Sequence, residues 1–128
     1  MFRIGIIGAG WIAHKMTLAL GYTDEACVYA IASRSEDKAR SFAEEHGIPM
    51  AYGSYEAMLD DPEVDLVYIA TPHSHHFAHA MLALEHGKPV LVEKAFTANA
   101  NEAKIMIDTA RNKGLFITEA IWTRYMPL

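Results

Sequence analysis

The amino-acid sequence predicts an α/β protein built on a doubly wound, six-stranded parallel sheet with helices on both faces. Three observations predict it. Short, near-continuous apolar runs recur along the 128 residues, and such runs are strands buried on both faces, as in parallel sheets. Amphipathic stretches of helical period separate them, which supplies the crossover that each parallel strand pair requires. A glycine, proline or capping signal stands at every junction. At 52% apolar and 21% charged the composition is that of one globular domain, without the signature of disorder.

Residues 2–7 form the first strand, interrupted only by Arg3 and Gly5. Residues 11–20 have helical composition and end at Gly21. Residues 28–32 are the second strand. Ser35, Glu36 and Asp37 then open a helix with Ala39, Phe42, Ala43 and His46 on one face, and Gly47 and Pro49 close it. Residues 51–52 make a short third strand. Ser54 caps a short helix at 55–59, ended by Asp60-Asp61-Pro62. The fourth strand is 65–70. The next helix, 76–86, carries Phe77, Ala80, Met81 and Leu84 on one stripe and stops at Gly87. The fifth strand is 89–93. A helix at 101–113 buries Ala103, Met106, Ile107 and Ala110 and is closed by Gly114; the sixth strand is 115–118. Right-handed crossovers leave few ways to wind this pattern.

Composition excludes several functions. There are 11 Lys+Arg against 16 Asp+Glu, a net charge of −5, whereas a nucleic-acid surface needs a cationic stripe. Apolar runs fall far short of the ~20 residues of a membrane helix. A single cysteine, Cys27, excludes an internal disulfide and a four-cysteine zinc site. The N-terminus enters a strand at once, without a signal-peptide pattern. A cytoplasmic setting is the expectation, with no nucleic-acid or membrane partner.

The first junction, Gly8-Ala9-Gly10-Trp11-Ile12-Ala13, is a G-x-G-x-x-A turn directly between a strand and a helix. In that context Gly8 permits the tight turn, Gly10 lets backbone approach a pyrophosphate, and Ala13 lets helix and strand pack closely. The helix start, at Trp11 and Ile12, then offers free N–H groups and a positive dipole end to phosphate. A ligand-free glycine turn and a methyltransferase are the competing readings; methyltransferases favour an acidic residue after the second strand. NAD sites also place Asp or Glu there. Here that strand runs into Ser33 and Arg34, a hydroxyl and a planar cation, with Glu36 and Asp37 further on. Guanidinium suits a phosphate, so NADP(H) is expected in preference to NAD(H), which stays possible. The competing reading of Arg34 is a solvated residue beside a helix start.

Residues 71–79, Thr-Pro-His-Ser-His-His-Phe-Ala-His, hold four of the seven histidines. His75, His76 and His79 stand at spacings that can ligate zinc on a helix. The preferred reading is a polar helix start beside a nucleotide cleft, with no metal site assigned. Thr71 and Pro72 follow the fourth strand, past the reversal of strand order, and are expected to border the cofactor. The fifth strand ends in Glu93-Lys94. An ammonium there can polarise a carbonyl or stabilise an alkoxide; Glu93 can hold Lys94 or contact a ribose. The competing reading is an ordinary ion pair at a strand end.

These segments together resemble the Gfo/Idh/MocA oxidoreductase family. Its G-x-G-x-x-A matches Gly8 to Ala13; its Thr-Pro with a His four positions after the Pro matches Thr71, Pro72 and His76; its Glu-Lys-Pro matches Glu93 and Lys94, with Ala95 in place of the proline. Residues 119–127, Glu-Ala-Ile-Trp-Thr-Arg-Tyr-Met-Pro, resemble a segment of the dihydrodiol dehydrogenase-like branch, whose members use NADP. The resemblance implies a dinucleotide-binding Rossmann domain with Lys94 as the catalytic residue. It also implies Trp122 in the nicotinamide and substrate pocket and Arg124 on the cofactor; the competing reading of Trp122 is a core tryptophan. The implied reaction is reversible hydride transfer to or from a sugar, polyol or cyclic diol.

The resemblance also implies a second domain that supplies most substrate contacts and the homo-oligomer interface. The expectation is therefore a dinucleotide-binding domain at 1–120, with 121–128 starting the connection to a substrate domain absent from this chain. Such a chain is expected to bind NADP(H) weakly and to turn over substrate negligibly. A non-catalytic dinucleotide sensor or regulatory module is the alternative, and Lys94 discriminates, since a pure binder has no need of it.

Overall fold

A computed structural model describes residues 1–120. The chain runs β1 (Phe2–Ile7), α1 (Trp11–Leu20), β2 (Ala26–Ala32), α2 (Glu36–His46), β3 (Met50–Tyr52), α3 (Tyr55–Leu59), β4 (Leu66–Ile69), α4 (His76–Glu85), β5 (Val90–Glu93), α5 (Ala100–Lys113) and β6 (Ile117–Ala120). A single 3₁₀ turn, His73–His75, leads into α4. The six strands form one sheet in the order β3-β2-β1-β4-β5-β6, and every pairing is parallel. This is the doubly wound α/β arrangement, and the strand order reverses between β1 and β4, where such sheets open a crevice at their carboxyl ends.

Two layers of apolar side chains hold the helices on. Ile4, Ile6, Val28, Ile31 and Tyr68 meet Ala13 of α1 and Ala39, Phe42 and Ala43 of α2 on one face. Ile7, Ala32, Val67, Ile69, Val90 and Val92 meet Met58, Leu59, Ala80, Leu84, Met106 and Ala110 on the other. Each wholly buried Ile, Val or Leu contributes about 1.5–3 kcal/mol relative to exposure. Ala13 is fully enclosed, so α1 lies close against the sheet, as the glycine turn required.

The caps at Ser35 and Ser54 follow the sequence signals, and Asn99 is a further cap that starts α5 one residue before the expected position. The side chains of Ser35, Ser54 and Asn99 accept the N–H groups of Lys38, Ala57 and Glu102 and start α2, α3 and α5. Two strands start two residues from the expected position, and the other strand starts agree within one residue. β2 begins at Ala26 because the parallel register with β1 already starts at Phe2↔Ala26. β6 is Ile117–Ala120, two residues later than the apolar run. The N–H of Leu115 still bonds the carbonyl of Ala110 at 2.8 Å, so the α5 terminus consumes the residue expected to begin the strand. Among the described residues, no helix is long and apolar enough to cross a membrane.

Candidate functional site

The loops that carry the predicted residues all leave the carboxyl ends of parallel strands. Gly8 and Gly10 follow β1, Ser33 and Arg34 follow β2, Thr71 and Pro72 follow β4, and Glu93-Lys94 end β5. β1 lies between β2 and β4 in the sheet, so the first three loops share one edge of the crevice, with the β5 loop next to them.

The glycine turn divides into two roles. Gly8 has φ +105°, and a Cβ there would lie 3.0 Å from Thr71 Cγ2 and 3.1 Å from the Ala70 carbonyl carbon. The fold itself needs this glycine. Gly10 has φ −103°, open to any residue, and a Cβ there would meet nothing within 4 Å. The space above Gly10 is open to a ligand. Helix α1 has no side-chain cap and no acidic residue in its first turn. The first helical bond runs from the His14 N–H to the Gly10 carbonyl, so the N–H groups of Trp11 and Ile12 point out of the helix start with no intrahelical acceptor. Trp11 offers its backbone to that end; its side chain is 69% exposed and stacks on His14.

At the end of β2, Ser33 is buried and its Oγ accepts the N–H of Ser35, leaving its hydroxyl proton to donate. Arg34 is exposed at the tip. Arg34, Tyr55, Thr71, Pro72, His75 and His79 enclose a cleft of about 100 Å³. The ring of His79 meets the edge of Tyr55 at 4.7 Å and stacks on His75 at 5.5 Å, and its Nδ1 is 2.9 Å from the Thr71 hydroxyl. Burial, and then the neighbouring His75, His76 and Arg34, push the His79 imidazole below its usual range, so it is neutral near pH 7. The cleft therefore sets the Arg34 guanidinium among flat rings. The histidine run marked this region in the sequence; Tyr55 carried no signal, because only the packing of α3 beneath β2 brings it here.

His76 is fully buried, which its place in a polar run did not show. Its Nε2 is 2.8 Å from the Thr71 carbonyl and its Nδ1 is 2.7 Å from the Ala95 carbonyl. The ring thus ties the loop after β4 to the loop after β5, and reaches the crevice through backbone rather than through its own exposure. The Lys94–Ala95 peptide, where the family pattern has its proline, is cis.

Glu93 and Lys94 part company. Glu93 is 6% exposed and accepts a hydrogen bond from the hydroxyl of the buried Tyr68. Burial and then Glu93 raise the Tyr68 phenol far above its usual range, so it stays a donor. Lys94 is exposed on the crevice edge. Among the described residues no ion pair joins it to Glu93, which corrects the expectation that Glu93 holds Lys94 or forms a simple strand-end pair with it. Side chains of successive strand residues point to opposite faces, and Glu93 turns to Tyr68. Trp122 and Arg124 lie outside the described residues.

A match to the Gfo/Idh/MocA oxidoreductase family, NAD-binding Rossmann fold, covers residues 2–120. The chain belongs to this family. Trans-1,2-dihydrobenzene-1,2-diol dehydrogenase of Bos taurus is 46% identical over 127 residues, covering 98% of this chain and 38% of that protein. D-xylose 1-dehydrogenase (NADP(+)) of Hypocrea jecorina is 61% identical over 77 residues, 60% of this chain and 20% of that protein. The crystal structure of a 3-ketoreductase from Actinomadura kijaniata in complex with TDP-benzene and NADP superposes with a TM-score of 0.92. It is 35% identical and covers 98% of this chain and 40% of that one. The chain thus spans about two fifths of the length of the diol dehydrogenase and of the ketoreductase. The Gfo/Idh/MocA fold accounts for the six-stranded parallel sheet and for the glycine turn at its centre.

Proposed function

We propose that residues 1–120 are the cofactor-binding domain of an oxidoreductase that prefers NADP(H) over NAD(H). Its substrate would be a sugar, polyol or cyclic diol, and Lys94 its catalytic residue. The observation that carries this reading is the convergence, on one sheet edge, of an uncapped helix start at Gly10 with the cation Arg34 and the exposed Lys94. The names of the diol dehydrogenase, the xylose dehydrogenase and the ketoreductase support the substrate class.

In this reading the N–H groups of Trp11 and Ile12 hold the pyrophosphate, and Gly10 leaves the room it needs. Ser33 and Arg34 hold a phosphate on the adenosine ribose, because guanidinium donates in a planar fork. Thr71, Pro72 and the rings of Tyr55, His75 and His79 line the cleft for a flat heterocycle. A nicotinamide cofactor held there would supply hydride exchange at a carbon bearing a hydroxyl or carbonyl. The Lys94 ammonium donates a hydrogen bond to that oxygen and steadies its developing negative charge. Glu93, fixed by Tyr68, and His76, which holds the Ala95 carbonyl, keep the Lys94 backbone in register with the crevice edge. In this reading residues 121–128, with Trp122 in the nicotinamide and substrate pocket and Arg124 on the cofactor, begin the connection to a substrate domain that would supply further substrate contacts and a homo-oligomer interface.

The test is Lys94→Ala, measured twice. Titration of the 128-residue chain with NADPH should show affinity within about threefold of the parent, since uniform binding is left intact. In a protein that joins this domain to the further length seen in its relatives, the same change should lower kcat by about 10²-fold or more. Equal loss of binding and turnover would make Lys94 structural. Unchanged turnover would leave the domain a dinucleotide-binding module without a catalytic lysine.

A further inference from the structure

The histidines that converge with a carboxylate are not those of the 71–79 run. His14, on the second turn of α1, and His46, the last residue of α2, place Nδ1 and Nε2 3.0 Å apart across 32 residues of sequence. A Glu45 carboxylate oxygen joins them, with the ligand atoms all within 4.8 Å of one another. We propose that His14, Glu45 and His46 form a binding site for a divalent transition metal of the zinc class, joining α1 to α2.

The two nitrogens fit such an ion, and the side chain of the exposed Glu45 would swing in to complete the set. At metal–nitrogen bonds of roughly 2.0–2.1 Å, two ligand nitrogens at octahedral to tetrahedral angles are about 2.9–3.4 Å apart. The observed 3.0 Å falls in that range. In the metal-free state one ring donates to the other, so the facing nitrogens share a proton; an ion between them moves that proton to the outer nitrogen and needs no change of charge on the rings. Two imidazoles with one carboxylate are a borderline donor set, which selects zinc, nickel and copper over magnesium or calcium.

The surroundings hold the ligands. Trp11 stacks on His14 with ring centroids 5.4 Å apart, and Phe42 packs on His46 at 4.4 Å. His46 and Glu45 sit in the last turn of α2, where the free carbonyls leave a partial negative charge that favours a cation. The three side chains line an open recess of about 440 Å³ together with Ala9, Gly10, Trp11 and Phe42. A metal there keeps open positions for water or a small anion, and shares a wall with the glycine turn. The site is separate from the cleft that holds Arg34 and His79, and it stands whether or not the dinucleotide reading is right.

The test uses the 128-residue chain, made without a polyhistidine tag and stripped with chelator, and zinc chloride as the probe. Calorimetry should show one equivalent bound and a melting temperature that rises with zinc concentration, as binding to the folded state requires. His14→Ala, His46→Ala and Glu45→Gln should each weaken zinc by about tenfold or more, since the loss of even an outer-sphere partner costs about tenfold or more. His86→Ala, on α4's terminus, should leave binding unchanged. Wild-type affinity in both His14→Ala and His46→Ala, or a dissociation constant weaker than about 1 mM in the parent, would overturn the site. Where a variant does not fold, nickel-induced line broadening in the parent's NMR spectrum decides. Broadening centred on His14, Glu45 and His46 supports the site, and broadening centred on the 71–79 run refutes it.

Discussion

Replacing Gly8 by alanine puts a methyl group where the backbone has φ +105°, 3.1 Å from the Ala70 carbonyl carbon and from the Thr71 nitrogen. Left-handed backbone costs an alanine about 1–2 kcal/mol. Besides the Thr71 methyl at 3.0 Å, the crowded atoms are backbone of the β4 exit and cannot rotate aside, so overpacking adds about 1–3 kcal/mol. The sum is about 2–5 kcal/mol, which for a domain of this size lowers Tm by about 10 °C or more. Gly10→Ala is the matched control. Its backbone suits alanine and its Cβ would meet nothing within 4 Å. The loss is then that of a poorer N-cap, about 0.5 kcal/mol, but the methyl stands where a pyrophosphate must approach. NADPH affinity should fall about tenfold or more, about 1.4 kcal/mol. Thermal melts by circular dichroism and NADPH fluorescence titrations read the two effects separately. If Gly10→Ala melted as early as Gly8→Ala, or bound NADPH like the parent, the division of roles between the two glycines would be wrong.

Arg34→Asp should lower the NADPH-over-NADH affinity ratio by about 10–100-fold, the worth of a charge-assisted phosphate contact; an unchanged ratio would remove Arg34 from the site. His76→Ala deletes a buried ring whose nitrogens lie at hydrogen-bond distance from two carbonyls, for about 2–4 kcal/mol; a melt within about 2 °C of the parent would contradict that role. Tyr52 is pushed up to about 12, first by burial and then by its hydrogen bond to Asp61. A phenol raised in the folded state gives stability that is intact below pH ~10 and is lost as pH climbs toward the folded value. Urea unfolding across that alkaline window should show a decline that Tyr52→Phe flattens, and an equal decline in both proteins would refute the assignment.

Much of the fold was legible because each element carries its own punctuation. Ser35, Ser54 and Asn99 start helices, and Gly47 and Gly114 end them. The apolar runs between them permit only strands. The β6 start was misread for a reason of the same kind: Leu115 is apolar, but its N–H belongs to the end of α5, and hydrophobic pattern cannot show where a backbone donor goes. The site residues of the loops were legible for topological reasons, since residues at the carboxyl ends of parallel strands must share one edge.

Contacts between elements left no such trace. The sequence places Glu93 beside Lys94, yet the structure pairs Glu93 with Tyr68, 25 residues away. It places His75, His76 and His79 together, yet His76 is spent on two carbonyls and His79 on Thr71. The two imidazoles whose ring nitrogens meet, His14 and His46, come from α1 and α2. Spacing along one helix tests only ligands on that helix. Parallel crossovers put consecutive helices side by side on one sheet face, so in this fold a metal-type cluster is built more readily between α1 and α2 than within a single loop. A histidine in the second turn of α1 and another at the end of α2 are therefore the pattern to seek in doubly wound sequences, and the zinc titration of His14→Ala and His46→Ala tests that rule as well as the site.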